Sequence, residues 1–133
     1  MAEFTMSATI DAPYDEAVAR VREGLAEAGF GVLTEIDLRA TLKAKLDVDV
    51  PPKVILGACR PQLAHEALGI DPRVAALLPC NVVVSAADTT TGASLVEVMD
   101  PNVMPEFTGT SALSGVAADA RERLGRMLEG LAS

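Results

Sequence analysis

Two apolar segments joined by a short polar loop constrain the fold of this chain most. The first runs from Asn81 to Ala87 around three consecutive valines, and the second runs from Ala93 to Met99. Residues 88–92 between them read Asp-Thr-Thr-Thr-Gly. A loop this short can join antiparallel neighbours as a hairpin, but it leaves no room for the crossover that parallel strands need. The pattern therefore favours an antiparallel sheet over a doubly wound parallel sheet.

The N-terminal part of the chain predicts a strand, a helix and a second strand. Polar and apolar residues alternate over residues 3–11, which is typical of a strand with one solvated face. Pro13 is placed to open a helix that ends near Gly29, with an apolar stripe at helical spacing between them. The second strand follows this helix. We expect three of its side chains to face the core: Phe30, Val32 and Ile36.

The middle of the chain predicts a short helix and a third strand. Leucines spaced by four over residues 38–46 suit a helical face, but the polar residues between them also allow the alternation of a strand. Asp37 as a suitable N-cap favours the helix. We expect Pro51-Pro52 to end this helix because proline cannot continue it. Residues 53–58, with Val-Ile-Leu at their centre, are typical of a buried strand.

Three further segments complete the order of elements. A helix is predicted from Pro61 through Leu68, stopped by Gly69, and a short turn or helix over residues 71–78. The clearest amphipathic stripe covers residues 113–131 and predicts the last helix. The resulting order, β-α-β-α-β-α-β-β-α, predicts an α+β fold with an antiparallel sheet covered on one face by helices.

Length and composition fit one domain with an aliphatic core. The chain has 133 residues, of which 50% are hydrophobic, so it can bury a core without disulfides or metals. Aromatic residues make up only 3%, so the core must consist of aliphatic side chains and methionine. The low aromatic content also leaves no stacking platform for single-stranded nucleic acid.

The charge balance argues against two classes of partner. Acidic residues outnumber basic ones 19 to 11, which gives a net charge of −8, and the basic residues form no cluster. Such a surface repels phosphate backbones and anionic lipids, so we expect neither nucleic acid nor membrane as a partner. The N-terminus resembles no signal peptide, and there are only two cysteines. We therefore expect a cytoplasmic protein with reduced thiols.

One segment concentrates the residue types that carry chemistry. It contains Cys59, one of the two cysteines, and His65, the only histidine. Gly57 permits close approach of another group, and Pro61 opens the following helix. The N-terminus of a helix favours anions and lowers the pKa of a nearby thiol. We therefore expect a site at this junction of strand and helix.

Three functional interpretations remain open when the second thiol, Cys80, and its neighbour Asn81 are included. In the first, Cys59, His65 and Cys80 bind a soft metal ion such as zinc or copper. In the second, Cys59 is a nucleophile or redox thiol, with His65 as base or Cys80 as partner. In the third, the helix N-terminus binds a small anionic ligand together with Arg60 and Asn81.

In a fourth interpretation, the two thiols have no chemical role. Free cysteine is often a buried small hydrophobe, and a protein with such thiols would act as a structural or interaction module. The spacing of Cys59, His65 and Cys80 matches no zinc motif. The sequence also contains no GxSxG, HExxH, P-loop or GxGxxG motif. Whether the protein is an enzyme therefore stays open.

Two motifs carry a resemblance to a known family. They are Gly57-Ala58-Cys59-Arg60-Pro61 and Leu78-Pro79-Cys80-Asn81. With them the chain resembles, from about Ile10 to Asp100, the domain of unknown function 302 family of small α+β proteins. Arg60 stands where many relatives have Asn. The resemblance implies a fold similar to the TATA-binding protein, with a curved antiparallel sheet against helices, often as a homodimer, and it implies no activity. It also implies one spatial cluster of Cys59, Pro61, His65, Pro79, Cys80 and Asn81.

These features predict a single domain over residues 1–133 in a cytoplasmic homodimer. We expect it to bind a small ligand or a metal ion, zinc or copper. A thiol-dependent enzyme or redox protein using Cys59, with His65 as a second catalytic candidate, is the first alternative. A structural or interaction dimer is the second. The expected ligand-binding residues are Gly57, Cys59, Arg60, Pro61, His65, Cys80 and Asn81.

Overall fold

The computed structural model describes residues 3–88 and 92–132 and contains one five-stranded sheet. The strands are β1 Thr5–Ile10, β2 Gly31–Asp37, β3 Lys53–Cys59, β4 Cys80–Asp88 and β5 Ala93–Met99. They lie in the order β1-β5-β4-β3-β2, and every neighbouring pair is antiparallel. The predicted α+β fold with an antiparallel sheet is confirmed.

The pairing of β4 with β5 follows the hairpin that the sequence predicts. Val82 lies opposite Val98, and Val84 lies opposite Val96. Residues 89–91 of the predicted loop lie outside the described residues. β1 pairs with the other side of β5, so β1 and β2 are the two edges of the sheet.

The described residues form five α-helices. They are α1 Tyr14–Glu27, α2 Leu38–Leu46, α3 Pro61–Ile70, α4 Val103–Thr108 and α5 Ser114–Ala132. Local signals explain several of their ends. The side chain of Asp37 accepts a hydrogen bond from the Ala40 amide at 2.9 Å, as its predicted capping role requires. Gly29 follows α1 with a φ of 89°, a conformation that glycine adopts without strain.

The core lies between one face of the sheet and the helices. Alternate strand residues such as Leu56, Val82 and Val96 are fully buried and belong to one core cluster with side chains of α1 and α5. On α5 the stripe that contains Leu124 faces the sheet. α2 instead contacts β2 and β3 at the end of the sheet where β3 begins. None of the helices in the described residues is long and apolar enough to cross a lipid bilayer.

β2 departs from the predicted orientation of one side chain. Phe30 is buried and Val32 packs against the core, as expected, but Ile36 is 45% exposed. A bulge between Val32 and Thr34 adds one residue to the strand. Because side chains alternate between faces, the extra residue moves Ile36 to the open face, where it pairs with Ile55. The prediction that Ile36 points inward is therefore wrong.

Several predicted boundaries also shift. α2 ends at Leu46, before Pro51-Pro52, because Asp47 adopts a left-handed conformation with φ of 55°. α3 continues through Gly69 to Ile70, so that glycine does not stop it. α4 is a further helix, between β5 and the last helix, that the sequence pattern does not predict.

Candidate functional site

Cys59 and Cys80 lie at adjoining ends of two neighbouring strands. β3 ends at Cys59, β4 begins at Cys80, and Ala58 is the direct cross-strand partner of Cys80. Cys59 is one residue further along β3, and because side chains alternate along a strand, its side chain points to the sheet face opposite that of Ala58 and Cys80. Both cysteines are free thiols. Together they line one small cavity between the sheet and the helices α3, α4 and α5.

The cavity is small and almost entirely apolar. Its volume is about 20 Å³, which leaves room for about one water molecule. Sites for organic ligands are typically about 300 Å³ or larger, so this cavity suits an atom-sized ligand. Aliphatic and aromatic side chains such as Phe30 and Leu63 form most of the wall. Four of the residues that line the cavity have side chains that carry sulfur or charge: Cys59, Arg60, Cys80 and Met104.

Cys80 is the more deeply placed of the two thiols. Its residue is 5% exposed, whereas Cys59 is half-buried. Burial raises the pKa of the Cys80 thiol to about 11, and the nearby Cys59 adds to the rise. A thiol with this pKa is protonated at neutral pH, so Cys80 is a poor nucleophile there.

Arg60 connects the cavity to the end of α1. Its Nη1 donates to the Gly29 carbonyl oxygen at 3.4 Å, and Arg123 donates to the Ala28 carbonyl oxygen at 3.3 Å. Both guanidinium groups thus bind carbonyls at the negative end of the α1 dipole. Among the described residues, the Nε of Arg60 is the one buried side-chain nitrogen or oxygen without a hydrogen-bond partner.

The other expected site residues do not line the cavity. Pro61 and His65 are exposed on α3. Asn81 is exposed and pairs with Gly57, and these two lie on the sheet face opposite the cavity. The glycine at position 57 is explained by packing instead, because a Cβ there would clash with the side chain of Thr34. The structure therefore brings together Cys59, Arg60 and Cys80, and it leaves Gly57, Pro61, His65 and Asn81 outside their cavity.

The expected metal ligands do not form a complete set. Across residues 3–88 and 92–132, no group of three or more His, Cys, Asp or Glu side chains could hold a metal ion. His65 in particular does not line the cavity with Cys59 and Cys80. A metal ion bound by Cys59 and Cys80 would therefore need a third ligand other than His65.

Met104 is the cavity residue that sequence reasoning missed. It is only 2% exposed and lies on α4, which brings its thioether side chain to the wall that the two cysteines share. Met104 lies 45 positions after Cys59 and 24 positions after Cys80 in the sequence. The only available signal was that methionine is one of the soft ligand types.

Comparisons with known proteins agree with the fold. The family described as "Domain of unknown function DUF302" matches residues 6–131 of the chain. The crystal structure of an uncharacterized conserved protein DUF302 from Bacillus stearothermophilus superposes with a TM-score of 0.88 at 30% sequence identity. The match covers 98% of this chain and 99% of that one. No curated protein matches the chain. The chain therefore belongs to the domain of unknown function DUF302 family.

Proposed function

We propose that this protein binds a single soft metal ion at the adjoining strand ends that carry Cys59 and Cys80. One observation carries the proposal. Cys59 and Cys80 are free cysteines at the adjoining ends of neighbouring strands, and both residues contribute to the wall of one cavity that has room for about one small atom or ion. Thiolates are ligands for soft and borderline ions such as copper and zinc.

Metal binding by these thiols must release protons. Each sulfur–hydrogen bond breaks as a sulfur–metal bond forms, and the proton leaves to solvent. The raised pKa of Cys80 makes this release costly at low pH, so the affinity for the metal rises with pH. Reduced thiols also suit a reducing compartment, and we propose a cytoplasmic location.

The thiol-enzyme alternative has less support. A catalytic cysteine needs an accessible thiolate with a base or cation beside it. Cys80 is buried with a raised pKa, and His65 does not line the cavity with Cys59. The cavity is also too small for an organic substrate.

The open face of the sheet supports the proposal that the protein is a homodimer. Ile36, Ile55 and Val83 lie side by side in one row across β2, β3 and β4. Glu97 on β5 is the partner of Val83 and continues this row, and Lys53 lies on the same face two residues before Ile55. Neither residue forms an ion pair within the described residues. A second copy related by a two-fold axis can cover the row and bring each Lys53 towards the other copy's Glu97.

Elemental analysis of protein loaded under reducing conditions tests the metal site. The wild type is expected to retain about one equivalent of copper or zinc after desalting. Cys59→Ser and Cys80→Ala are each expected to weaken binding by at least about tenfold, because loss of even an outer-shell partner costs that much. His65→Ala is the matched control and should bind like the wild type, since His65 does not line the cavity. Equal binding by the wild type and both cysteine variants would overturn the proposal.

A further inference from the structure

We propose that a second site, between α2 and the beginning of β3, binds a monocarboxylate with a short apolar tail, such as a medium-chain fatty acid. In this site the Lys53 ammonium and the Ser85 hydroxyl bind the carboxylate, and the aliphatic wall beside them binds the tail. The inference is independent of the proposed metal site, because the two cavities share no lining residue.

The second site is an open cavity with a volume of about 410 Å³. Pockets that bind small organic molecules typically have volumes of about 300–1,000 Å³, so this cavity has room for an organic ligand. Most of its wall is aliphatic and comes from α2 and from the segment before β3, for example from Leu42 and Val50. Such a wall favours an apolar tail, because removal of apolar surface from water is favourable.

The two polar side chains of the wall lie next to each other. Lys53 on β3 and Ser85 on β4 are direct cross-strand partners, so their side chains leave the same face of the sheet side by side. Ser85 is only 8% exposed, and its hydroxyl takes part in no hydrogen bond within the described residues. An ammonium and a hydroxyl can both donate to a carboxylate, which only accepts, so this pair matches a carboxylate.

The charges around the cavity favour an anion with a single charge. Lys53 is half-buried, and no acidic residue lines the cavity. The two carboxylates of the segment that leads to β3, Asp47 and Asp49, both pair with Lys43, at 3.0 and 3.3 Å. An unpaired ammonium beside an apolar wall is costly, and a bound carboxylate removes that cost. A dianion such as phosphate is less suited, because the protein carries a net charge of −8 and repels it more strongly.

The backbone on one side of the cavity is fixed without a ligand. The Ala86 amide donates to the Pro52 carbonyl oxygen at 3.2 Å, which continues the pairing of β3 with β4 beyond Lys53. The two prolines before β3 also have a fixed φ, so little ordering of this wall is required on binding. The Lys53 ammonium has three N–H donors, so a bound carboxylate and the Glu97 contact of the proposed dimer do not exclude each other.

Isothermal titration calorimetry with octanoate tests the inference. The wild type is expected to bind one octanoate per chain. Lys53→Met keeps an unbranched side chain but removes the charge, and we expect it to weaken binding by at least about tenfold. Ser85→Ala removes one neutral donor and should weaken binding by about fivefold. Lys45→Met is the matched control and should bind like the wild type, because Lys45 is exposed on α2 and does not line the cavity.

Two further ligands separate the roles of the carboxylate and the tail. 1-Octanol has the tail without the charge, and inorganic phosphate has charge without the tail. Both are expected to bind at least about tenfold more weakly than octanoate. Chemical-shift changes at the Lys53 and Ser85 amides locate the bound octanoate in the wild type. Thermal unfolding identifies any variant that fails to fold, and the wild-type titrations are informative without it.

Three results would overturn the inference. They are the absence of saturable octanoate binding by the wild type, equal binding by a folded Lys53→Met variant, and binding of 1-octanol or phosphate as tight as that of octanoate. None of them bears on the metal site, which Cys59→Ser and Cys80→Ala test separately.

Discussion

Gly57 lies directly opposite Thr34 in the sheet, and a Cβ on Gly57 would stand 2.1 Å from the Oγ1 of Thr34. The same Cβ would be 2.7 Å from the Cγ of Pro79. The side chain of Thr34 on β2 and that of Pro79, which directly precedes β4, thus occupy the space above this glycine. The glycine in the Gly-Ala-Cys motif is therefore required by packing on the sheet face opposite the thiol cavity.

Gly57→Ala is expected to destabilise the protein. Two close contacts force neighbouring groups to move, and overpacking of this kind costs roughly 1–3 kcal/mol. Gly69→Ala is the matched control, because a Cβ at Gly69 meets nothing within 4 Å and the residue lies in α3. Alanine is about 1 kcal/mol better than glycine in a helix, so this variant should be as stable as the wild type or more so. Urea unfolding measures both effects, and equal loss of stability in the two variants would contradict the packing argument.

Asp71 is expected to make stability depend on acid pH. Its carboxylate accepts hydrogen bonds from the Arg73 side chain and from the Thr110 hydroxyl at 2.8 Å. These partners hold the pKa of Asp71 well below its usual value, with the Arg73 hydrogen bond as the largest cause. Because the folded pKa is the lower one, the stabilisation is present above the unfolded pKa of about 3.9. It is lost progressively as the pH falls below that value towards the folded pKa.

Asp71→Asn tests that linkage. The variant should be less stable than the wild type at pH 7, and the difference should shrink as the pH falls from 4 to 2. Asp119→Asn removes an exposed carboxylate that pairs with Arg123 one helical turn away, and such pairs contribute little. It should follow the wild type at every pH. Urea midpoints across the pH range decide the outcome, and a constant difference between Asp71→Asn and the wild type would show that the carboxylate's ionisation is not involved.

The two thiols are expected to differ in their reaction with iodoacetamide. Cys80 is buried and its pKa is raised to about 11, so little thiolate forms at pH 8. We expect Cys59 to be modified first and Cys80 only after unfolding in urea. Peptide mapping by mass spectrometry locates the label. Rapid labelling of Cys80 in the folded protein would contradict its buried position and raised pKa. Loading with metal should protect Cys59 from labelling.

Metal affinity is expected to rise with pH for the same reason. Loss of one proton from Cys80 on binding makes the apparent affinity increase by about tenfold for each pH unit below the pKa of that thiol. Competition titrations at pH 6, 7 and 8 measure the slope. Cys80→Ala should lower both the affinity and the slope. A wild-type affinity that does not change with pH would mean that the Cys80 thiol does not bind the metal.

The proposed dimer can be tested by exchanging two charges. Lys53→Glu and Glu97→Lys each place like charges together across a two-fold contact on the open sheet face, so each is expected to favour the monomer. The double variant restores opposite charges and should restore the dimer. Phe107→Glu is the control, because Phe107 is 70% exposed on α4, away from that face. Light scattering coupled to size exclusion gives the mass, and a monomeric wild type would refute the dimer directly.

Much of the fold could be predicted because its signals are local. The alternation of polar and apolar residues in β1 and the apolar stripe of α5 each reflect the periodicity of a single strand or helix. The N-cap of α2 is also a local feature, because the side chain of Asp37 accepts a hydrogen bond from the amide of Ala40, three positions away. The short loop before Gly92 was sufficient to predict that β4 and β5 are antiparallel. Membership of the family was likewise readable from two short motifs.

The candidate site could be predicted only in part, because it depends on contacts between distant segments. The sequence by itself marked Cys59 and Cys80 and the strand ends that carry them. Only the tertiary structure placed Met104 and Arg60 at the same cavity and left His65 outside it. It also decided that Ile36 faces the open side, since the bulge in β2 depends on pairing with β3. Periodicity is a property of one segment, whereas a cavity exists only where several segments pack together.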